Sequence, residues 1–269
     1  MHSLTAILLG VVQGITEFLP ISSSGHLALL EHYLHVAGGG LSFDILLHLG
    51  TLAALVAYFY RDWLAMGRAL LRPTPQNQGE RYLFLYLVVA TIPGALAGVL
   101  LEHKAETLFR TPVHIAWLMG SVGLLLLLGE KVARHHRGFS RFTIFDAVLI
   151  GLSQGLAVMP GVSRSGITMT CALFLGFTRE ASARFSFLMA TPIIAGAGVH
   201  HLPKWLKAPP DDLSLTAAAL GLLASMIASY LTIKYLLSFL QRHTFKPFAF
   251  YRLAVAALVL GVSLLYPSF

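Results

Sequence analysis

Six stretches of the chain, 43–60, 82–101, 113–129, 183–199, 213–237 and 248–266, are apolar over close to the length that a bilayer demands. A helix crossing hydrocarbon needs about 20 predominantly apolar residues, because lipid offers no partner to a backbone amide outside a helix. Only 12% of the 269 residues are charged, against the roughly 25% that lets a soluble domain face water. A surface so poor in charge faces lipid. The expected fold is an all-α polytopic membrane protein, one membrane domain over 1–269.

The formal net charge of +7 does not mark a nucleic-acid binder, because the basic residues form no stripe. They gather in the short loops between apolar stretches. One set holds Arg61, Arg68, Arg72, Arg81, Lys131, Arg134, Arg137, Arg141, Arg179, Arg184, Arg242, Lys246 and Arg252. The opposite set, on loops 31–41, 102–112 and 200–212, holds Lys104, Arg110, Lys204 and Lys207. Thirteen against four makes the first side cytoplasmic and puts both termini outside. Met1-His2-Ser3 carries no Lys or Arg and no Ala-x-Ala site follows, so the first apolar segment is expected to belong to the mature fold. The single Cys171 lies among apolar residues and is expected to pack in the core.

Two further apolar segments are broken in the middle. Segment 4–34 is interrupted by Pro20-Ile-Ser-Ser-Ser-Gly25-His26, and segment 142–177 by Pro160-Gly-Val-Ser-Arg-Ser-Gly166. Proline removes an amide and glycine loosens the backbone, and irregular backbone at membrane depth must be satisfied by protein or a wet cavity. Both segments read as re-entrant helix–loop–helix hairpins. They also resemble each other: Gly10-Val-Val-Gln-Gly14 and Gly151-Leu-Ser-Gln-Gly155 lie 141 residues apart, as do Ser22-Ser-Ser-Gly25 and Ser163-Arg-Ser-Gly166. Each hairpin is followed by three spans, so a repeat over 1–130 crosses the membrane an odd number of times and a repeat over 142–269 is inverted. That arrangement predicts a binding site near the midplane, where the two repeats meet.

The chemistry concentrates in the two breaks. Gln13 and Glu17 are four apart and share a helix face inside an apolar run, where an ionisable residue is costly and functional by default. Ser22, Ser23, Ser24 and Gly25 offer hydroxyls and amides ahead of a helix start, which is the makings of an anion site. His26 follows as nucleophile, acid or base. Arg164 is the sole Lys or Arg within 142–177 away from the ends of its apolar run, and its guanidinium matches phosphate oxygens bidentately. Ser163, Ser165 and Thr168 add donors, and Gly161 and Gly166 admit close approach of backbone. His48 is expected to line the cavity or bond a neighbouring helix. His135-His136 reads as a solvated loop pair, and His200-His201 lacks the carboxylates of a metal site. One Arg, one carboxylate, hydroxyls and a His make an anion pocket, and the membrane setting favours a lipid phosphate or diphosphate. A divalent cation there would be held by Glu17 together with substrate oxygens. Movement of a lipid carrier or an anion without hydrolysis, as in a transporter or flippase, is the alternative reading of such an architecture.

Gln13-Gly-Ile-Thr-Glu-Phe-Leu-Pro-Ile-Ser-Ser-Ser-Gly-His26 resembles the (Glu/Gln)-x-x-x-Glu and Ser/Gly/His motif of the BacA-type undecaprenyl-diphosphate phosphatases. Pro160-Gly-Val-Ser-Arg-Ser-Gly-Ile-Thr168 resembles that family's Pro-Gly-x-Ser-Arg-Ser-x-x-Thr motif. The resemblance implies removal of the terminal phosphate of undecaprenyl diphosphate on the outer face of the bacterial inner membrane, recycling the carrier of peptidoglycan synthesis and conferring bacitracin resistance. It implies a divalent cation, Mg2+ or Ca2+, and a site carried by Glu17, Ser23, His26, Ser163, Arg164, Ser165 and Thr168. Gln13 takes the less acidic family option, which weakens it as a metal ligand. The partners so implied are a polyprenyl diphosphate and membrane lipid, with room for a homo-oligomer and none for nucleic acid. A second lipid-phosphatase family shares a Ser-Gly-His element, but its Lys-x6-Arg-Pro and Ser-Arg-x5-His elements are missing here.

Overall fold

The structure, a computed structural model, describes residues 2–34, 40–207 and 214–265. The long elements of its described part are all α-helices: α1 Ser3–Phe18, α2 Ser23–Leu34, α3 Gly40–Tyr58, α4 Tyr60–Leu71, α5 Gln78–Phe109, α6 Pro112–Val132, α7 Ile144–Gly155, α8 Arg164–Phe174, α9 Arg179–Lys207, α10 Leu215–Leu240 and α11 Lys246–Leu265. Local chemistry sets the helix starts. Thr111 accepts from the His114 amide ahead of Pro112, Thr143 and Asp146 form a capping box, and Ser214 accepts from the Ala217 amide.

Five helices within the described residues, in α5, α6, α9, α10 and α11, are long and apolar enough to cross a membrane. A sixth span follows if α3 and α4 count as one. The expected span 43–60 differs in its end: the helix breaks at Phe59, and the chain turns by 68° into α4. Helix α4 carries Arg61, Asp62 and Arg68, a composition suited to an interface rather than to hydrocarbon. Much of the loops expected at 31–41 and 200–212, with the side chains of His201, Lys204 and Lys207, lies outside the described residues.

Helices α1, α2, α7 and α8 have 16, 12, 12 and 11 residues. Each is too short to span alone. Leu19, before Pro20, is extended and ends α1. Helix α1 packs along α10, and α7 along α5. Both contacts are backbone-close at glycine: a Cβ on Gly14 would come within 2.6 Å of the Ser225 carbonyl, and one on Gly151 within 2.6 Å of the Ala90 carbonyl. Gly14→Val is therefore expected to push α1 off α10 and cost about 1–3 kcal/mol, read as a lowered unfolding midpoint in detergent. A parental midpoint would show that the two helices part without penalty.

At one end of the bundle Phe142 stacks on Phe177 and Phe185, with centroids 3.8 and 4.2 Å apart. Around this layer the loop cations find carboxylates: Arg137 with Asp146, Arg179 with Glu130 and Arg184 with Asp62. His135 belongs to this layer and is not solvated as expected. Its Nε2 accepts from Arg179 at 3.2 Å, and its side chain is 21% exposed, whereas His136 is exposed. Cys171 packs half-buried against the core.

Candidate active site

The two breaks have the same local geometry at the sequence offset of 141. Ser22 and Ser163 both take positive φ, 79° and 71°, a left-handed conformation that costs a non-glycine residue about 1–3 kcal/mol. Each then caps the helix that follows. The Ser22 hydroxyl accepts from the Gly25 amide at 3.3 Å, and the Ser163 hydroxyl from the Gly166 amide at 3.0 Å. The next-but-one serines repeat the match, with Ser22–Ser24 and Ser163–Ser165 hydroxyl pairs at 3.5 and 3.2 Å. Strained caps in duplicate leave two helix N-termini, at Ser23 and at Arg164, side by side with the carboxylate that ends α1.

That carboxylate is Glu17, buried in the last turn of α1. Arg164 forms an ion pair with its Oε1. Its Oε2 accepts from the Ser23 hydroxyl at 2.6 Å and from Gln13 Nε2 at 3.0 Å. Ser165 stitches the breaks together, donating to the main-chain carbonyls of Glu17 and Leu19. The Arg164 side chain is 14% exposed, so it is anchored from behind by Glu17 and by the Ala190 carbonyl. Two of its five N–H donors are thus engaged in described contacts. Thr168 stands behind this face: it is buried, and its hydroxyl bonds the Arg164 carbonyl and Ser186. Ser24 is exposed, while Gly25 and Gly166 are buried in the first turns of α2 and α8.

The histidines divide differently from the sequence order. His48, on α3, brings Nε2 to 3.6 Å from Glu17 Oε2, with Nδ1 bonded to the Asp44 carbonyl. His26 Nδ1 bonds the Ser22 carbonyl at 2.6 Å. A carbonyl only accepts, so Nδ1 carries the proton and Nε2 is free to accept from the Tyr251 hydroxyl, 2.7 Å away. The His26 and Tyr251 rings lie within 8° of parallel.

Sequence reasoning missed Tyr251, and it put Arg252 among the loop cations. Arg252 is instead fully buried, with its guanidinium among main-chain carbonyls of α6 and of both breaks. The thirteen-to-four bias therefore loses one cation and keeps its sign. The missed signal is a charged residue within the apolar stretch 248–266, the same kind of signal that selects Glu17 and Arg164.

Among the described residues no three or more His, Cys, Asp or Glu side chains converge to hold a metal ion. Two oxygen donors nevertheless fit a hard cation: the Glu17 carboxylate, and Gln13 Oε1, which is buried without a hydrogen-bond partner. Two protein oxygens suffice only where a substrate supplies the others.

The profile of the family described as bacitracin resistance protein BacA matches residues 6–258. Curated relatives span the same length. An undecaprenyl-diphosphatase of Moorella thermoacetica is 48% identical over 262 residues, 97% of this chain and 98% of that protein. One of Rubrobacter xylanophilus is 45% identical over 98% of this chain and 100% of its own length. One of Desulforudis audaxviator is 44% identical over 98% and 99%.

Proposed function

The chain belongs to the bacitracin resistance protein BacA family, and from that premise we propose that it is an undecaprenyl-diphosphatase working in the pocket between its two broken segments. The observation that carries the pocket assignment is the Arg164–Glu17–Ser23 chain, a cation and a hydroxyl at the starts of two helices joined by a carboxylate at the end of a third. In this reading the terminal phosphate of the polyprenyl diphosphate sits on the free N–H groups of Arg164 and on the first-turn amides of α2 and α8. The Ser23 oxygen attacks phosphorus while its proton passes to Glu17 Oε2. The bond to the bridging oxygen breaks, and polyprenyl phosphate leaves with that electron pair. Water then cleaves the phosphoserine, returning the proton to Ser23 and releasing inorganic phosphate. Positive charge held in place before the reaction is the main source of rate in phosphoryl transfer. A divalent cation, Mg2+ or Ca2+, held by Glu17, Gln13 Oε1 and diphosphate oxygens would add to that charge.

The finer topology belongs to the same proposal. The short α1–α2 and α7–α8 pairs are re-entrant hairpins at the heads of two inverted repeats. Reciprocal packing supports this, since α1 lies on α10 of the other half as α7 lies on α5. The loop charges support a bacterial inner-membrane protein whose pocket opens to the outer side, and the bilayer itself brings the lipid substrate to it.

Incubation with undecaprenyl diphosphate in detergent micelles is the test. Inorganic phosphate should appear catalytically, and chelation of divalent cations should suppress it. A protein that moves the lipid without hydrolysing it, the reading that broken helices also support, would release none.

A further inference from the structure

Arg252 is the largest fully buried side chain among the described residues, and its described hydrogen-bond partners are all carbonyl oxygens. Nε donates to Met119 at 2.9 Å and Nη1 to Pro20 at 3.2 Å. Nη2 donates to Gly161 at 2.8 Å, to Val162 at 3.1 Å and, more weakly, to Leu118 at 3.4 Å. One rigid fork thus holds α6, the first break and the second break together. Lysine, with three donors on one nitrogen, lacks the span for this.

The held carbonyls occupy particular places. Pro20 comes two residues before Ser22, and Gly161 and Val162 come just before Ser163, so the anchored peptides lead into the two strained caps. Gly161 can join only as glycine. Its φ is +97°, and a Cβ there would lie 2.7 Å from the Ile115 carbonyl. The guanidinium also lies directly behind the first turn of α8, where a Cβ on Gly166 would come within 3.2 Å of Nη1. Carbonyl dipoles solvate this cation without cancelling its charge. It therefore adds positive potential behind two helix N-termini that already favour an anion. The preceding residue acts on the same structure, since Tyr251 donates to His26 Nε2 and fixes the ring that ends the first turn of α2.

We propose that Tyr251 and Arg252 are positioning residues of the phosphatase reaction. Arg252 sets the spacing and field of the two loops, and Tyr251 holds His26 in its neutral, Nδ1-protonated form as a wall of the pocket. This rests on the phosphatase reading of that pocket. Neither residue touches the phosphate; Arg252 acts through the two loops that bind it, and Tyr251 through His26 at the pocket wall.

The test uses the full chain in detergent micelles, with Arg252→Lys, Arg252→Gln and Tyr251→Phe measured per folded molecule. Tyr251→Phe and Arg252→Lys should lower kcat about tenfold with KM within about twofold of the parent, since charge persists and geometry is lost. Arg252→Gln, which loses the charge as well, should lower kcat about a hundredfold and raise KM. Parental kcat per folded molecule in Tyr251→Phe and Arg252→Lys overturns the proposal, as does identical behaviour of the Lys and Gln variants. If Arg252→Gln does not fold, the other two variants decide. Orthovanadate separates this proposal from the one it rests on. A parent whose unfolding midpoint rises with orthovanadate but which releases no phosphate contradicts the phosphatase reading alone. In that case loss of the vanadate shift in Arg252→Gln sustains the positioning role, and its persistence overturns it.

Discussion

Arg164→Ala is expected to reduce phosphate release from a polyprenyl diphosphate by about a thousandfold or more, the scale of losing a fixed cation from a phosphoryl-transfer site. The loss has two parts, and they can be separated. Arg164 is the counter-ion of Glu17 as well as the proposed clamp. Its removal leaves a buried carboxylate without its cation, a change that costs about 3–5 kcal/mol in stability. A poorly folded variant would then lose activity for an uninformative reason. The companion is Arg164→Met with Glu17→Gln, which removes both charges and keeps the amide within reach of Ser23 and Gln13. It should regain most of the stability lost in Arg164→Ala, which assigns that loss to the unpaired carboxylate. Because it also lacks the proposed base, the part of Arg164 in turnover is read from Arg164→Ala and Arg164→Lys per folded molecule. Arg164→Lys restores the charge without the fork that serves Glu17 and the Ala190 carbonyl together, so it should fold well and recover only a small part of kcat. Near-parental turnover in Arg164→Ala would remove Arg164 from the reaction.

How much of this was legible in the sequence follows from how each residue is used. Glu17 and Arg164 announced themselves as charges in apolar runs, and the structure brings them together across 147 residues. The duplicated serines were legible as a motif. Their shared positive φ was not, because nothing in a Ser-Ser-Ser-Gly string distinguishes a strained cap from an ordinary turn. Arg252 was legible in principle but misplaced, since it lies six residues from Lys246 and was counted with the loop at that end of the last span. Whether a cation near a helix end bathes in water or turns inward depends on what faces it, and the carbonyls that face Arg252 come from α6 and from both breaks. His48 shows the same limit. The sequence leaves it lining the cavity or bonding a neighbouring helix, and only packing of α3 against α1 brings its Nε2 to Glu17. The bend at Phe59 had no proline or glycine to mark it. Span number and helix breaks are properties of the chain read locally, whereas the partners of a buried charge are properties of its neighbours.

Ser23→Ala is expected to abolish turnover with little loss of stability, and rapid acid quenching of the parent during turnover should trap phosphate on Ser23. Geometry favours Ser23 among the three nucleophiles, Ser23, His26 and water, that the sequence leaves open. The Ser23 hydroxyl already donates to a carboxylate at 2.6 Å, the contact that lets a base take its proton as the oxygen attacks. The attacking nitrogen available to His26 is Nε2, and the Tyr251 proton occupies its lone pair. The two intermediates differ in chemistry. Phosphoserine survives acid and is lost in strong alkali, whereas a phosphohistidine is lost in acid. A Ser23 phosphopeptide in acid-quenched protein, missing from Ser23→Ala, would support the mechanism. An alkali-stable, acid-labile phosphoenzyme that persists in Ser23→Ala would transfer the role to His26. Substantial turnover by Ser23→Ala, with no phosphoenzyme of either kind and no burst, would mean that water attacks directly. Glu17 would remain the base, and the loss on replacing Ser23 would then be no larger than the about tenfold to hundredfold expected for removing one hydrogen bond that orients a base.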